Sequence, residues 1–154
     1  QQFMGQVDWG ELDILLIDLP PGTGDVQLTL AQRCELDGAI IVSTPQDVAL
    51  IDAKKAMQMF YKLNIPIIGM VENMSTHICG NCGYEEHLFG KGGVQTEANK
   101  ARLDFLGEVP LDIKVREASD HGRPIVFEDF NCSQSNAFVR IANKLSRKLD
   151  LDNI

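Results

Sequence analysis

Cys79 and Cys82 stand close together in the sequence CGNCG, residues 79–83. Two intervening residues let both thiolates reach one metal ion from a tight turn, and the glycine after each cysteine relieves the backbone there. A redox pair of the thioredoxin kind would stand at a helix N-terminus after the first strand of its fold, and this pair does not. The spacing therefore favours a metal site.

Two thiolates are half of a four-ligand site, and the residues leave open what completes it. Cys34 and Cys132 are distant in sequence, so a Cys₄ zinc site within one chain lacks its second pair. His77 and His87 would complete a Cys₂His₂ zinc site. Alternatively, two copies related by a two-fold axis would bring four thiolates together, enough for a 4Fe–4S cluster. On the motif alone, structural zinc ranks above the cluster.

A second set of candidate residues follows the apolar run LDILLID at 12–18. Asp18 ends that run, and a carboxylate at the end of a buried parallel strand lies where α/β proteins bind ligands. In P-loop NTPases an Asp at this position holds Mg²⁺. The following residues 20–25, PPGTGD, predict a stiff turn and a loop whose backbone N–H groups can contact a γ-phosphate. An Asp that only caps a turn is the alternative, but the length of the string favours a nucleotide-linked switch.

The elements that position these residues follow from periodicity. Apolar runs without polar alternation predict strands of a sheet covered on both faces, and they span 12–18, 38–43, 66–71 and 105–109. Helices are predicted between the strands, over 26–33 with Asp25 as cap, as far as Asn64 with Asp47 as cap, and over 94–103. Strand–helix alternation predicts an α/β, doubly wound, mostly parallel sheet.

One segment interrupts the alternation. Residues 75–93 contain five glycines, two cysteines and two histidines, which predicts a functional insertion loop. Otherwise the chain is expected to form one domain over 1–154, with a closing amphipathic helix at about 133–149.

Residues 90–96, GKGGVQT, look like a phosphate-binding loop but depart from its pattern. A P-loop follows a buried strand and ends in Gly-Lys-Ser/Thr at the start of a helix. Here Gln95 replaces the last Gly, Thr96 replaces the Lys, and the cysteine segment precedes it. We interpret this stretch as the start of a helix and find no Walker A motif in the sequence.

Composition excludes several classes of protein. The chain has 154 residues, 14 basic against 22 acidic, and a net charge of −8. With no basic run, a nucleic-acid or anionic-membrane partner is disfavoured. No apolar run is long enough to cross a bilayer, and the isolated cysteines favour a reducing compartment.

Five segments together resemble the Mrp/ApbC family, relatives of the MinD and nitrogenase-iron-protein ATPases that carry iron–sulfur clusters. They are IDLPPGTGD at 17–25, STPQDVAL at 43–50, VENMS at 71–75, CGNCG at 79–83 and ASDHGRPIV at 118–126. The resemblance extends from Trp9 to about Val126. It implies a P-loop NTPase fold, of which this chain is expected to be the C-terminal part without the Walker A segment.

The resemblance also implies roles for individual residues. Asp18 is similar to the Mg²⁺-side carboxylate, and residues 20–25 are similar to the second switch, with Gly22 near the γ-phosphate and Asp25 at its end. Asn73 resembles the residue that contacts the adenine edge, since an amide offers a donor and an acceptor. An Asn that caps a turn is equally compatible with this position. Pro110 and Leu111 resemble the segment beside the base.

For the cysteines, the resemblance reverses the order given by the motif. It implies a labile 4Fe–4S cluster shared by Cys79 and Cys82 of two subunits, with ATP and Mg²⁺ bound in the full-length ATP hydrolase. It also implies a homodimer that delivers clusters to apoproteins, in bacterial cytoplasm or, as the second choice, an organelle matrix. The rival is a non-enzymatic interaction domain with a zinc-stabilised loop.

Overall fold

The computed structural model describes residues 6–20, 24–79 and 81–151, without the side chains of residues 25, 26 and 31. The elements in chain order are α1 (Asp25–Arg33), β1 (Ala39–Ser43), α2 (Asp47–Lys62), β2 (Ile67–Ile78), β3 (Glu85–Glu86), α3 (Gly93–Ala101), β4 (Phe105–Leu111), α4 (Ile113–Asp120), α5 (Ile125–Glu128) and α6 (Ser133–Lys148). No helix in these ranges combines the length and the apolar character that a membrane span needs.

The strand β2 lies at the centre of the sheet that the described residues form. It pairs in parallel with β1 along one edge and with β4 along the other. The short β3 pairs with β2 in antiparallel orientation, with His77 opposite Glu86 and Ile78 opposite Glu85. His77 has β4 on its other side, because it also lies opposite Leu111. The strand β3 therefore pairs with the same edge of β2 as β1 does, nearer the carboxyl end of β2. The mostly parallel α/β architecture agrees with the prediction.

Helices cover the two faces of this sheet. On one face α2 and α3 pack over Met70 of β2, and on the other α6 packs over β4 through Ile141. Gly107 permits this approach, because a Cβ there would lie 2.8 Å from the Ile141 side chain. Successive residues of a strand face opposite sides, so Met70 and Val71 enter different cores, as strands covered on both faces require.

The predicted strand at 12–18 is wrong for this structure. Residues 12–18 have no regular secondary structure and all are exposed, with Leu16 73% accessible. An apolar run becomes a buried strand only when a neighbouring strand takes its backbone hydrogen bonds and helices cover its faces. Among the described residues nothing supplies that neighbour or that cover, so the sequence preference is not realised.

Several predicted boundaries shift by a few residues. β2 runs to Ile78, well beyond the predicted end at residue 71, because the first four residues of the expected insertion loop continue the strand. The residues before α1 and α2 that occupy the N-cap position are Gly24 and Gln46, not the predicted Asp25 and Asp47. The closing helix α6 ends at Lys148, one residue short of its predicted end.

Candidate metal centre and sheet edge

Cys79 and Cys82 occupy the turn of a hairpin that extends from the end of β2. The Cys79 N–H donates to the Tyr84 carbonyl oxygen at 2.9 Å, and the Gly83 N–H donates to the Cys79 carbonyl oxygen at 2.9 Å. Gly83 has φ +71°, a left-handed conformation that closes the turn at little cost for glycine. We call residues 78–86 the cysteine hairpin. Both thiols are free, and Cys82 is exposed.

The backbone of the turn favours the anionic form of the Cys79 sulfur. Hydrogen bonds from the backbone N–H of Asn81, and then from the backbone and side chain of Cys82, lower the pKa of the Cys79 thiol. Desolvation and the negative charge of Glu86 on the opposite strand oppose this lowering of the pKa. The thiolate is the form that binds metal, so the direction of the shift is compatible with the predicted ligand role of Cys79.

The two histidines considered as further ligands are both engaged by backbone carbonyls. His87 Nδ1 lies 2.9 Å from the Ser75 oxygen, and His77 Nδ1 lies 3.4 Å from the Leu111 oxygen. Across the described ranges, no three His, Cys, Asp or Glu side chains are grouped so that they could hold a metal ion. The structure thus brings the two cysteines together without joining the histidines to them.

The residues predicted beside a nucleotide base lie together at the carboxyl half of the sheet. Asn73 of β2 is paired with Val109, the residue before Pro110, and Leu111 is paired with His77. Asn73 Oδ1 accepts the N–H of its neighbour Met74 at 3.0 Å, and both residues lie inside β2. Met74 has φ +55°, and the pairing with β4 shifts register between Asn73 and His77. Asn73 therefore stands at an irregularity of the strand and not at a turn, and its contact with adenine stays a prediction.

The predicted switch segment is only partly within the described residues. Asp18 is exposed and belongs to no strand, and Gly22 lies outside the described residues. Asp25 begins α1. The following residues of α1 include Gln27, which is 3% accessible and donates from Nε2 to the Pro20 carbonyl oxygen at 2.6 Å. A buried Gln therefore ties the start of the switch segment to α1, a contact that the sequence did not indicate.

The glycine-rich stretch at 90–93 starts α3, as interpreted from the sequence. Glu72 of β2 is 1% accessible, and its Oε2 accepts the Val94 N–H at 3.0 Å while Oε1 accepts the Gly92 N–H at 3.4 Å. The amides that a phosphate would need at this helix N-terminus are thus bonded to a carboxylate of the protein itself. The prediction that a helix starts in this stretch is confirmed, since α3 begins at Gly93.

Glu72 is the residue of this region that sequence reasoning missed. Its signal was a charged side chain directly after the apolar run 66–71, a position where an unpaired charge would be costly. Gly93 adds to the close packing there, since a Cβ on it would lie 2.5 Å from the Pro45 carbonyl oxygen. The loop after β1, the strand β2 and the start of α3 therefore meet in one tightly packed place.

A mostly parallel sheet covered by helices on both faces defines a doubly wound α/β protein, a class whose members bind ligands at the carboxyl ends of the strands. Comparison with known proteins specifies it further. The chain belongs to the ParA group of NUBPL iron-transfer P-loop NTPases, whose family model matches residues 1–146.

Similar proteins agree with that family. The chain is 48% identical over 149 residues to the mouse iron-sulfur cluster transfer protein NUBPL, covering 97% of this chain and 47% of the mouse protein. It is 52% identical over 148 residues to the iron-sulfur cluster carrier protein of Pseudomonas fragi, covering 96% of this chain and 52% of that protein. The chain thus spans about half the length of these relatives.

Solved structures show the same fold. A nucleotide-binding protein from Archaeoglobus fulgidus, in complex with ADP and with cobalt found in it, matches with a TM-score of 0.71 at 43% identity, over 87% of this chain and 57% of that chain. The cell division ATPase MinD from Pyrococcus furiosus matches with a TM-score of 0.55 at 22% identity, over 72% of this chain and 43% of that one. The second likeness concerns the fold alone.

Proposed function

We propose that this chain contributes the metal-binding part of an ATP-dependent iron–sulfur cluster carrier. The observation that carries the proposal is the cysteine hairpin, whose turn presents two thiols and directs backbone N–H groups at the Cys79 sulfur. N–H donors to a thiolate stabilise the charged ligand without occupying a coordination position. The hairpin thus supplies two of the four thiolates that a 4Fe–4S cluster binds, and two further thiolates have to come from elsewhere.

A second copy of the chain is the proposed source of that half. Two hairpins facing each other supply four thiolates, the number that a 4Fe–4S cluster binds. The names of the relatives, iron-sulfur cluster transfer and carrier proteins, support an iron–sulfur cargo over zinc. The zinc alternative needs His77 and His87, whose positions are already explained by their bonds to backbone carbonyls. We propose that the cluster is a cargo, passed on to apoproteins.

The nucleotide is proposed to bind at the carboxyl ends of the strands. Asn73, Pro110 and Leu111 would contact the base, and membership of a P-loop NTPase family supports a nucleotide at this edge. Asp18 would face Mg²⁺, with Gly22 and Asp25 in the segment that responds to the γ-phosphate. In-line attack of water on that phosphate also needs a Walker A loop, which these 154 residues do not contain. We therefore expect no ATP turnover from the 154 residues by themselves.

Anaerobic reconstitution tests the cargo. The purified chain is incubated with ferrous iron and sulfide, and visible absorption, iron, sulfide and molecular mass are measured. We expect about four irons and four sulfides for every two chains, the composition of one 4Fe–4S cluster, together with a doubling of mass. A colourless protein with one zinc per chain, unchanged by iron and sulfide, would establish the zinc-stabilised interaction domain instead.

Cysteine variants test the ligands. Cys79→Ala or Cys82→Ala should abolish cluster binding, because each removes one thiolate from both halves of the shared site. Cys132→Ala is the matched control, since it also removes a free thiol yet should leave the iron content unchanged. Retention of the cluster by both hairpin variants would show that the ligands lie elsewhere.

The proposed setting of this activity is a reducing compartment, bacterial cytoplasm or, as the second choice, an organelle matrix. The proposed partners are a second copy of the chain and iron–sulfur apoproteins. Fractionation with an antibody against the natural protein, followed by capture of partners under anaerobic conditions, tests both statements.

A further inference from the structure

Residues 87–92 follow the cysteine hairpin and run from β3 back to the start of α3; we call them the return arm. The return arm and the start of α3 are held against β2 at two places. At the first, the His87 ring lies 2.9 Å from the Ser75 carbonyl oxygen. At the second, the Glu72 carboxylate accepts the N–H groups of Gly92 and Val94. Both attachments are to the strand that leads directly into the hairpin, so they close the hairpin into a loop with a fixed base.

The second attachment is the stronger one on physical grounds. Glu72 is 1% accessible, and a hydrogen bond donated to a charged acceptor is worth roughly twice a neutral one. The N-terminus of α3 adds a favourable partial positive charge. Glutamine in this position would keep the shape, but its NH₂ group would face one backbone N–H, donor against donor. The arrangement is thus specific for a carboxylate.

Glu72 also directly precedes Asn73, which the proposed function puts beside the nucleotide base. One strand, β2, therefore carries in order the anchor of the return arm, the base contact and, after Ile78, the first cysteine. The strand β2 therefore connects the proposed nucleotide edge directly to the cysteine hairpin.

We propose that Glu72 is a positioning residue for the metal centre: its carboxylate holds the return arm against β2 and so determines where Cys79 and Cys82 stand relative to the nucleotide edge. The inference rests on the proposed metal role of the cysteines. Glu72 touches neither metal nor nucleotide in this assignment, and it acts only through the amides of Gly92 and Val94.

Hydrogen exchange in the metal-free chain tests the anchor without relying on the cargo. Glu72→Gln should raise exchange in peptides covering 79–92 by about tenfold, the effect of losing one charge-assisted hydrogen bond. Glu97→Gln is the matched control, because Glu97 is a largely buried carboxylate of the same α3, with its side chain 12% accessible, and it pairs with Lys54 on α2. The control should leave 79–92 within about twofold of the original chain, as expected for a change outside the anchor.

Cluster retention tests the consequence for the metal centre. After reconstitution, Glu72→Gln should lose its cluster to a chelator about tenfold faster than Glu97→Gln, by the same argument. Glu72→Asp keeps the charge but shortens the side chain, and it should lie between the two. If the original chain accepts no cluster, the proposed function fails, while the exchange experiment still decides whether Glu72 anchors the arm.

Two results would overturn the inference. One is exchange that rises equally over the whole sheet in Glu72→Gln, which would make Glu72 a general stability residue. The other is unchanged exchange at 79–92. If Glu72→Gln does not fold, Glu72→Asp decides in the same exchange experiment. It keeps the charge but shortens the side chain, so exchange at 79–92 should still rise above that of Glu97→Gln, and unchanged exchange would contradict the anchor.

Discussion

The two regions that carry the predicted functional residues differ sharply in how they are held. The cysteine hairpin continues β2, a strand paired on both edges and anchored again through Glu72 and His87. The segment 6–20, which carries Asp18, has no strand or helix, and its apolar run is exposed. Both regions have sequences typical of α/β proteins. The backbone of β2 and the hairpin is hydrogen-bonded to neighbouring strands, whereas residues 12–18 pair with no strand.

This difference shows that an apolar run favours burial but does not by itself produce a buried strand. Residues 12–18 are as apolar as residues 66–71, but the second run lies between two strands and beneath two helices. Parallel pairing in particular is non-local, so a strand depends on partners far away in the chain. The exposed apolar side chains of this run form a surface of the kind that other protein segments usually pack against.

Hydrogen exchange should show the largest contrast between the two regions. We expect amides in 12–18 to exchange at least about 1000-fold faster than those of Met70 and Val71, because a segment outside strands and helices opens at almost no cost while a central strand opens only with global unfolding. Exchange followed by NMR measures both in one sample. Comparable protection in the two regions would mean that residues 12–18 do form a strand in solution.

The same substitution placed in each region should change stability very differently. Leu106 is 1% accessible and Leu16 is 73% accessible. Leu106→Ala should lower the free energy of unfolding by about 2–5 kcal/mol, the usual result of leaving a cavity in a packed core. Leu16→Ala, its matched control, should change it by less than about 0.5 kcal/mol. Urea denaturation measures both, and a large loss in Leu16→Ala would show that the segment is packed.

The pH dependence of cysteine reactivity should show the smallest effect. Because its pKa is lowered, Cys79 should stay a thiolate to lower pH than N-acetylcysteine does, so its alkylation rate should reach half its maximum at a lower pH. Mass spectrometry of iodoacetamide-treated, metal-free protein measures this. In urea the N–H groups of the turn no longer surround the sulfur, and the difference should vanish. A midpoint above that of the free thiol would contradict the geometry of the turn.

Asn73 marks the limit of reasoning from single residues. Its motif predicted a base contact, and a turn-capping role was equally open. The structure places Asn73 and Met74 inside β2, where the Asn73 Oδ1 accepts the Met74 N–H. This bond needs only an acceptor side chain at position 73, so it explains an Asn there without a turn, and the contact with adenine stays a prediction.

By itself, the sequence determined the local features of this protein. Periodicity predicted strands at 38–43 and 105–109 and helices after Asp47 as far as Asn64 and at about 133–149, and the structure has them at 39–43, 105–111, 47–62 and 133–148. The spacing of Cys79 and Cys82 and the departure of 90–96 from the P-loop pattern are likewise local features. Each pattern can be recognised from residues a few positions apart, even though the strands need distant partners to form.

Only the tertiary structure decided what depends on distant partners. It left 12–18 exposed, extended β2 to Ile78, and joined Glu72 to amides 20 and 22 residues further along the chain. The physical reason is the same in each case. A buried backbone N–H or carboxylate needs a hydrogen-bond partner. Packing across the sheet determines which partner is near enough, and no local sequence pattern encodes that packing.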